Sequence, residues 1–568
     1  MKKQTRRASH SGREEFNRRR FMKDFSSMGL GAALFPGALA AVAKDREKIS
    51  VEMIKQAEKI AGLEFSDEER QEIVEDLNRF RDGFESLRSL HMGNAVPLSL
   101  YFNPVPPGKK LPDKKRTFKI GKVSVKNPAG IEDVAFYPLT HLARLLKSRQ
   151  ITSEALTKMY LSRLKKHDAA LKCVVTLTEE LALKQARQAD QETKAGQYRG
   201  LLHGIPWGVK DIFSTKNYRT TWGASIYQDQ IFAEDATVVK RLEEAGAVLL
   251  AKLSVGELAT GDRWFGGQTR NPWNPEWPSG GSSAGPAAAT AAGLVAFAIG
   301  TETTASLVGP ARVCGATALR PSFGRVSRNG VMTVSWSFDK VGPIGRSVED
   351  CAIVFNAIHG RDNIDHSVLD VPFNWDHTCD VSKLRVGFIE SYLTMEPKDI
   401  AQGFMLDAYR DAFERLKRMG MALIPIEKPS EQWNKFGLIL VTEAAAAHDE
   451  LTISGKDKLL TNSPWASTFR RCRFIPAVEY IQANRARTLR IQEVDRLFDQ
   501  VDVLLGSFIN FANLVGLPEV VIPYGFNKYG TPNYISFTGR LFGEEDILSL
   551  AYAVQEATDY HLQHPKLG

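Results

Sequence analysis

Cysteine is scarce: there are five in 568 residues, Cys173, Cys314, Cys351, Cys379 and Cys472, and no two lie closer than 28 positions. That spacing excludes a disulfide-dense scaffold and a CxxC-type zinc site. Buried thiols are the reading that remains, with one long-range bridge left open. The sequence also lacks an HExxH motif, a dinucleotide-binding fingerprint, a His-containing nucleophile elbow, internal repeats and low-complexity blocks. Disorder is excluded by the 43 % of hydrophobic residues, and the length allows an enzyme-sized core with an extra lobe.

An excess of one charge sign is missing from most of the chain as well. The formal net charge is +8, yet residues 1–43 hold nine basic and three acidic residues, leaving only +2 for the other 525. A body so near neutrality offers no electrostatic footprint for nucleic acid. The basic stretch ends in Arg18-Arg19-Arg20-Phe21-Met22-Lys23 and is followed by the uncharged, Ala- and Gly-rich segment Phe25 to Ala43, closing on Ala41-Val42-Ala43. Gly29, Gly31, Pro36 and Gly37 would make a poor spanning helix. The whole segment resembles a bacterial twin-arginine export signal with a small-x-small cleavage site, which implies passage through the twin-arginine translocation machinery and a periplasmic or secreted location.

Residues 44–95 read as a helical extension, with Ser66-Asp67-Glu68-Glu69 as a capping box ahead of Ile73, Leu77, Phe80, Phe84 and Leu87. Its role is open between covering a site and mediating a homodimer. Residues 96–130, rich in Pro and Lys, read as an extended connector. From 131 to 568 helical patterns alternate with short apolar runs: a helix near Leu139 to His167, a strand at Val174 to Leu177, and a helix from Ala236 to Ala245. That last helix stops at Gly246 and feeds Val248-Leu249-Leu250-Ala251. The order predicts an α/β fold with helices covering a sheet.

Three segments crowd glycine, serine and lysine where packing would ask for large apolar residues. They are Gly204-Ile205-Pro206-Trp207-Gly208-Val209-Lys210-Asp211, Pro278-Ser279-Gly280-Gly281-Ser282-Ser283-Ala284-Gly285-Pro286, and Gly300-Thr301-Glu302-Thr303-Thr304-Ala305-Ser306. Each alone has a plain explanation: a snorkelling lysine, a helix cap, a turn serine.

Together, and with Asp235-Ala236-Thr237, Gly266 to Asn274, Arg320 to Ser327, Asp339 to Arg346 and Asn513 to Pro518, they resemble the amidase signature family from about residue 135 to the C-terminus. The resemblance implies a mixed, mostly parallel central sheet with helices on both faces. It also implies a Ser-cisSer-Lys triad: Lys210 as base, Ser282 as relay across a cis Gly281-Ser282 bond, and Ser306 as nucleophile. The expected oxyanion hole is the backbone of Thr303, Thr304, Ala305 and Ser306. Neither metal nor organic cofactor is called for, and a small-molecule amide is the expected substrate. A serine hydroxyl needs a base, and lysine serves only when burial keeps it neutral.

The chain departs from the family's Asp-x-Gly-Gly-Ser-apolar-Arg pattern at Glu302, Thr304, Ala305 and Val308. Added Cβ atoms predict either a narrowed acyl pocket or an impaired loop. Loss of the arginine at Val308 leaves the acidic residue without its expected partner, and whether Arg312 replaces it is open. Amide hydrolysis leads the functional readings. The alternatives are a component of a glutamyl- or aspartyl-tRNA amidotransferase, against which an export signal argues, and a weakly active scaffold with a binding role.

Overall fold

The computed structural model describes residues 48–88, 93–96, 100–111, 118–121, 123–429 and 433–567. The expected export signal, residues 1–43, lies outside them. The chain divides into two compact units, residues 1–90 and 91–568.

In the first unit, helix Val51–Ala61 starts at Ser50, whose side chain accepts from Met53 N, and ends at Gly62 with φ 68°. Helix Asp67–Arg88 opens on the capping box read from the sequence: Glu69 N donates to Ser66 Oγ at 3.2 Å, and Ser66 N donates to Glu69 Oε2 at 2.6 Å. Arg70 and Glu58, 2.8 Å apart, pair across these two helices.

The second unit is built on an eleven-stranded mixed sheet. Its strands are β1 (Val174–Leu177), β2 (Pro206–Lys210), β3 (Val248–Leu253), β6 (Phe297–Glu302), β7 (Thr317–Arg320), β8 (Lys340–Gly345), β9 (Arg385–Ile389), β10 (Ala422–Ile426), β11 (Val503–Leu505), β12 (Glu519–Phe526) and β13 (Pro532–Gly539), and β4 (Arg263–Trp264) with β5 (Gly267–Gln268) forms a separate hairpin. Their order is β1-β3-β2-β6-β8-β7-β12-β13-β11-β9-β10. Parallel pairing joins β3, β2 and β6 near one end and β11, β9 and β10 at the other. Between them every pairing is antiparallel, and the antiparallel pairs are the more numerous. Strands β2, β3 and β6 are buried at every residue, which is why they read as unbroken apolar runs rather than as alternation.

Two expectations change in detail. The helix from Leu139 to His167 is two helices, Leu139–Lys147 and Ser153–Leu171. Arg149 at φ 59° breaks the first, and Thr152 caps the second by accepting from Ala155 N. Asn513, Leu514 and Val515, read as part of a strand region, close helix Ile509–Val515, and the strand begins at Glu519. Helix Ala284–Ala291, with eight small buried residues, packs on β6 so closely that a Cβ at Gly300 would meet Ser283 Oγ at 2.6 Å.

Candidate active site

Lys210 ends β2, between its two parallel neighbours β3 and β6, so it sits at the carboxyl edge where open α/β sheets gather their ligands. Its side chain is fully buried. Nζ lies 2.8 Å from Ser282 Oγ and 2.7 Å from Thr301 Oγ1. Burial pushes the ammonium down to about 7, although the carboxylates of Asp339 and Glu302 oppose the shift.

Ser282 follows a cis peptide bond from Gly281 and is 1 % exposed. Glycine is required at 281, because a Cβ would meet Gly261 O at 1.9 Å. The next serine sews two segments together. Ser283 Oγ donates to Thr301 O at 3.1 Å and accepts from Thr301 N at 3.2 Å, while Ser283 N donates to Ser306 O at 2.9 Å. Lys210 and Ser282 are thus in direct contact, and Ser306 is brought to the same segment through its backbone. Among the described residues, Ser306 Oγ makes no hydrogen bond to either of them.

The loop before Ser306 has a particular electrostatic form. Glu302 turns its carboxylate under it: Oε2 accepts from Leu307 N at 3.0 Å and Val308 N at 2.9 Å, and Oε1 accepts from Arg320 at 2.7 Å and Asn513 at 2.9 Å. Burial would raise this carboxyl, but Arg320 and the backbone donors outweigh it and hold it at about 2. The question left by Val308 is therefore answered by Arg320, not Arg312, which pairs instead with Glu519 at 2.6 Å. With Leu307 and Val308 taken, the N–H groups of Thr303, Thr304, Ala305 and Ser306 donate to no acceptor among the described residues. Ala305, where the family pattern has glycine, holds φ 137°.

Several supporting residues escaped the sequence reading. Thr301 could have been found from the pairing of β2 with β6, which sets Val209 beside Ile299 and so brings the two strand ends together. Asp211 and Lys252 form a fully buried pair at 3.1 Å, and Asp211 also accepts from Thr221 N and Oγ1. Thr303 Oγ1 donates to Asp339 at 2.7 Å. A cavity of about 620 Å³ reaches this end of the site at Thr301 and Thr303, though Ser306 itself is not in its wall.

Fold and sequence together define the class as an amide-processing α/β enzyme. A family model described as Amidase matches residues 155–508. Two of its relatives are the corresponding chains of glutamyl-tRNA(Gln) amidotransferases. To the one from Moorella thermoacetica it is 32 % identical over 493 residues, covering 76 % of this chain and 99 % of that one. To the one from Methylococcus capsulatus it is 33 % identical over 482 residues, covering 75 % and 98 %. Among solved structures, the native peptide amidase from Stenotrophomonas maltophilia superposes with a TM-score of 0.68 at 29 % identity, covering 77 % of this chain and 99 % of that one. A bacterial aryl acylamidase at 21 % identity, TM-score 0.67 and coverage of 76 % and 98 %, shares the fold. The chain belongs to the amidase signature family.

Proposed function

We propose that the protein hydrolyses a carboxylic amide to an acid and ammonia or an amine through a serine acyl-enzyme, with Ser306 as nucleophile. The observation that carries this reading is the buried lysine at hydrogen-bond distance from Ser282, with its ammonium pushed down to about 7. A neutral Lys210 accepts the Ser282 proton as Ser282 Oγ takes the proton of Ser306, whose oxygen then bonds to the amide carbon. The oxyanion meets the uncommitted N–H groups of Thr303 to Ser306, each such donor being worth about 3 kcal/mol in the transition state. Collapse expels the nitrogen with the proton returned through Ser282. Water, deprotonated along the same route, cleaves the ester and restores Ser306.

Ammonia release from a panel of primary amides by the purified chain tests the reading. Turnover that vanishes in Ser306→Ala is the expected result, and undiminished turnover in that variant would refute it. A second reading, a component of a tRNA-dependent amidotransferase, is favoured by the two sequence relatives. Turnover by the isolated chain without tRNA supports hydrolysis, whereas activity that appears only with a charged tRNA and further protein components supports transfer. Export is a further part of the proposal, supported by the Arg-Arg-containing segment and its Ala-x-Ala end. N-terminal sequencing of protein recovered from a bacterial periplasm should then start at Lys44, and retention of the full chain in the cytoplasm would speak against it.

A further inference from the structure

The cavity beside Thr301 and Thr303 has a wall dominated by apolar and aromatic side chains, among them Trp222, Phe232, Met332 and Trp336. Its volume of about 620 Å³ suits a small organic ligand. Part of the wall comes from residues 93–96 with Leu100 and Tyr101, which precede the span matched by the family model. Asn94 fastens this segment. Its Oδ1 accepts from Thr333 N at 2.9 Å, and its Nδ2 donates to Thr333 O at 3.0 Å and Ala447 O at 3.2 Å.

The charged groups in the wall are already committed. Arg328 donates to Asp365 at 3.0 Å, to Trp336 O at 2.6 Å and to Ser367 Oγ at 2.8 Å. Lys340 is buried, donates to Phe338 O and lies beside Glu302 and Asp339. Asp339 is taken by Thr303 and by the N–H groups of Val334 and Ser335. A ligand carboxylate would thus enter an apolar space lined by aspartates and glutamates with no basic side chain in the wall left to pair with it, which is strongly unfavourable. An aromatic or bulky aliphatic group finds matching surface.

We propose that this cavity is the substrate pocket, that it selects amides bearing an aromatic or bulky apolar group and no carboxylate, and that Asn94 sets the selection by holding the outer wall. This rests on the amide-hydrolase reading and narrows its substrate. The test compares N-acetyl-L-phenylalaninamide, L-glutamine and propionamide in the purified full chain and in Asn94→Ala. The aromatic amide is expected to exceed glutamine in kcat/KM by about 100-fold, the scale of buried-charge discrimination. In Asn94→Ala the selectivity for the aromatic amide over propionamide is expected to fall about tenfold, through KM rather than kcat. Glutamine turned over as well as the aromatic amide, or a variant that slows all amides alike, would overturn the proposal. If no amide is turned over, titration of N-acetyl-L-phenylalaninamide followed by tryptophan fluorescence decides. Saturable binding weakened in Asn94→Ala upholds the pocket while hydrolysis falls, and absence of binding overturns both.

Discussion

At the residue scale, Lys210 ties structure to pH. Its ammonium, pushed from 10.5 to about 7 by burial, must be neutral to accept a proton. Activity (kcat/KM) is therefore expected to rise through a pH near 7 and level off above it, and a profile flat from pH 5 to 9 would contradict the role. The same group makes a stability statement of opposite sign to a salt bridge. Between pH 7 and 10.5 the unfolded chain binds the proton that the folded chain refuses, so this group's contribution to stability grows as pH rises across that window. Ala305 is the second informative residue. At φ 137° its Cβ occupies backbone space suited to glycine, at a cost on the order of 1–3 kcal/mol. Ala305→Gly is expected to raise the urea unfolding midpoint, by about 1 kcal/mol in free energy, and an unchanged or lowered midpoint would show the loop to be relaxed as it stands.

At the element scale, the turn from β6 into helix Val308–Cys314 is held by one carboxylate. Glu302 caps Leu307 and Val308 and neutralises Arg320, so Glu302→Gln breaks a fully buried pair, a change that costs about 3–5 kcal/mol. A lowered melting temperature together with a fall in kcat is expected, and loss of stability with kcat unchanged would separate Glu302 from the geometry of the Ser306 loop. Because Glu302 is held at about 2 against an ordinary 4.5, its stabilisation is fully present above pH 4.5 and is lost as pH falls toward 2.

This element also shows what the sequence could disclose. The lysine, the Gly-Gly-Ser-Ser turn and Ser306 were legible because glycine and serine stood where packing asks for bulk. The helix after Gly-Gly-Ser-Ser and the strand after Gly246 were legible from their punctuation. The partner of Glu302 was not. Arg312 is closer in sequence, but Arg320 ends β7, which shares β8 with β6, and only that strand order brings its guanidinium within 2.7 Å of the carboxylate. The break at Arg149 was hidden for a different reason: apolar periodicity continues on both sides of a left-handed residue whose side chain gives no warning.

At the scale of the whole molecule, the five cysteines are all free, with four buried and Cys379 exposed. One thiol is expected to react with Ellman's reagent in the native protein and five after denaturation, and the melting temperature should not respond to a reductant. A native count of zero, or a reductant-sensitive melting point, would indicate a bridge. Burial raises the Cys173, Cys314 and Cys351 thiols, which keeps them unreactive. The charge distribution belongs to this scale too: the basic excess resides in residues 1–43, and the remaining chain carries only +2 into whatever compartment it works in.

The most direct measurement is the rate at which a fluorophosphonate forms an adduct, located by peptide mass spectrometry and followed against pH. A single adduct on Ser306, forming faster as pH rises through about 7 and lost in Lys210→Met that remains folded, is the expected result. Absence of an adduct in folded protein, or one that forms at the same rate without Lys210, would contradict the serine–lysine mechanism.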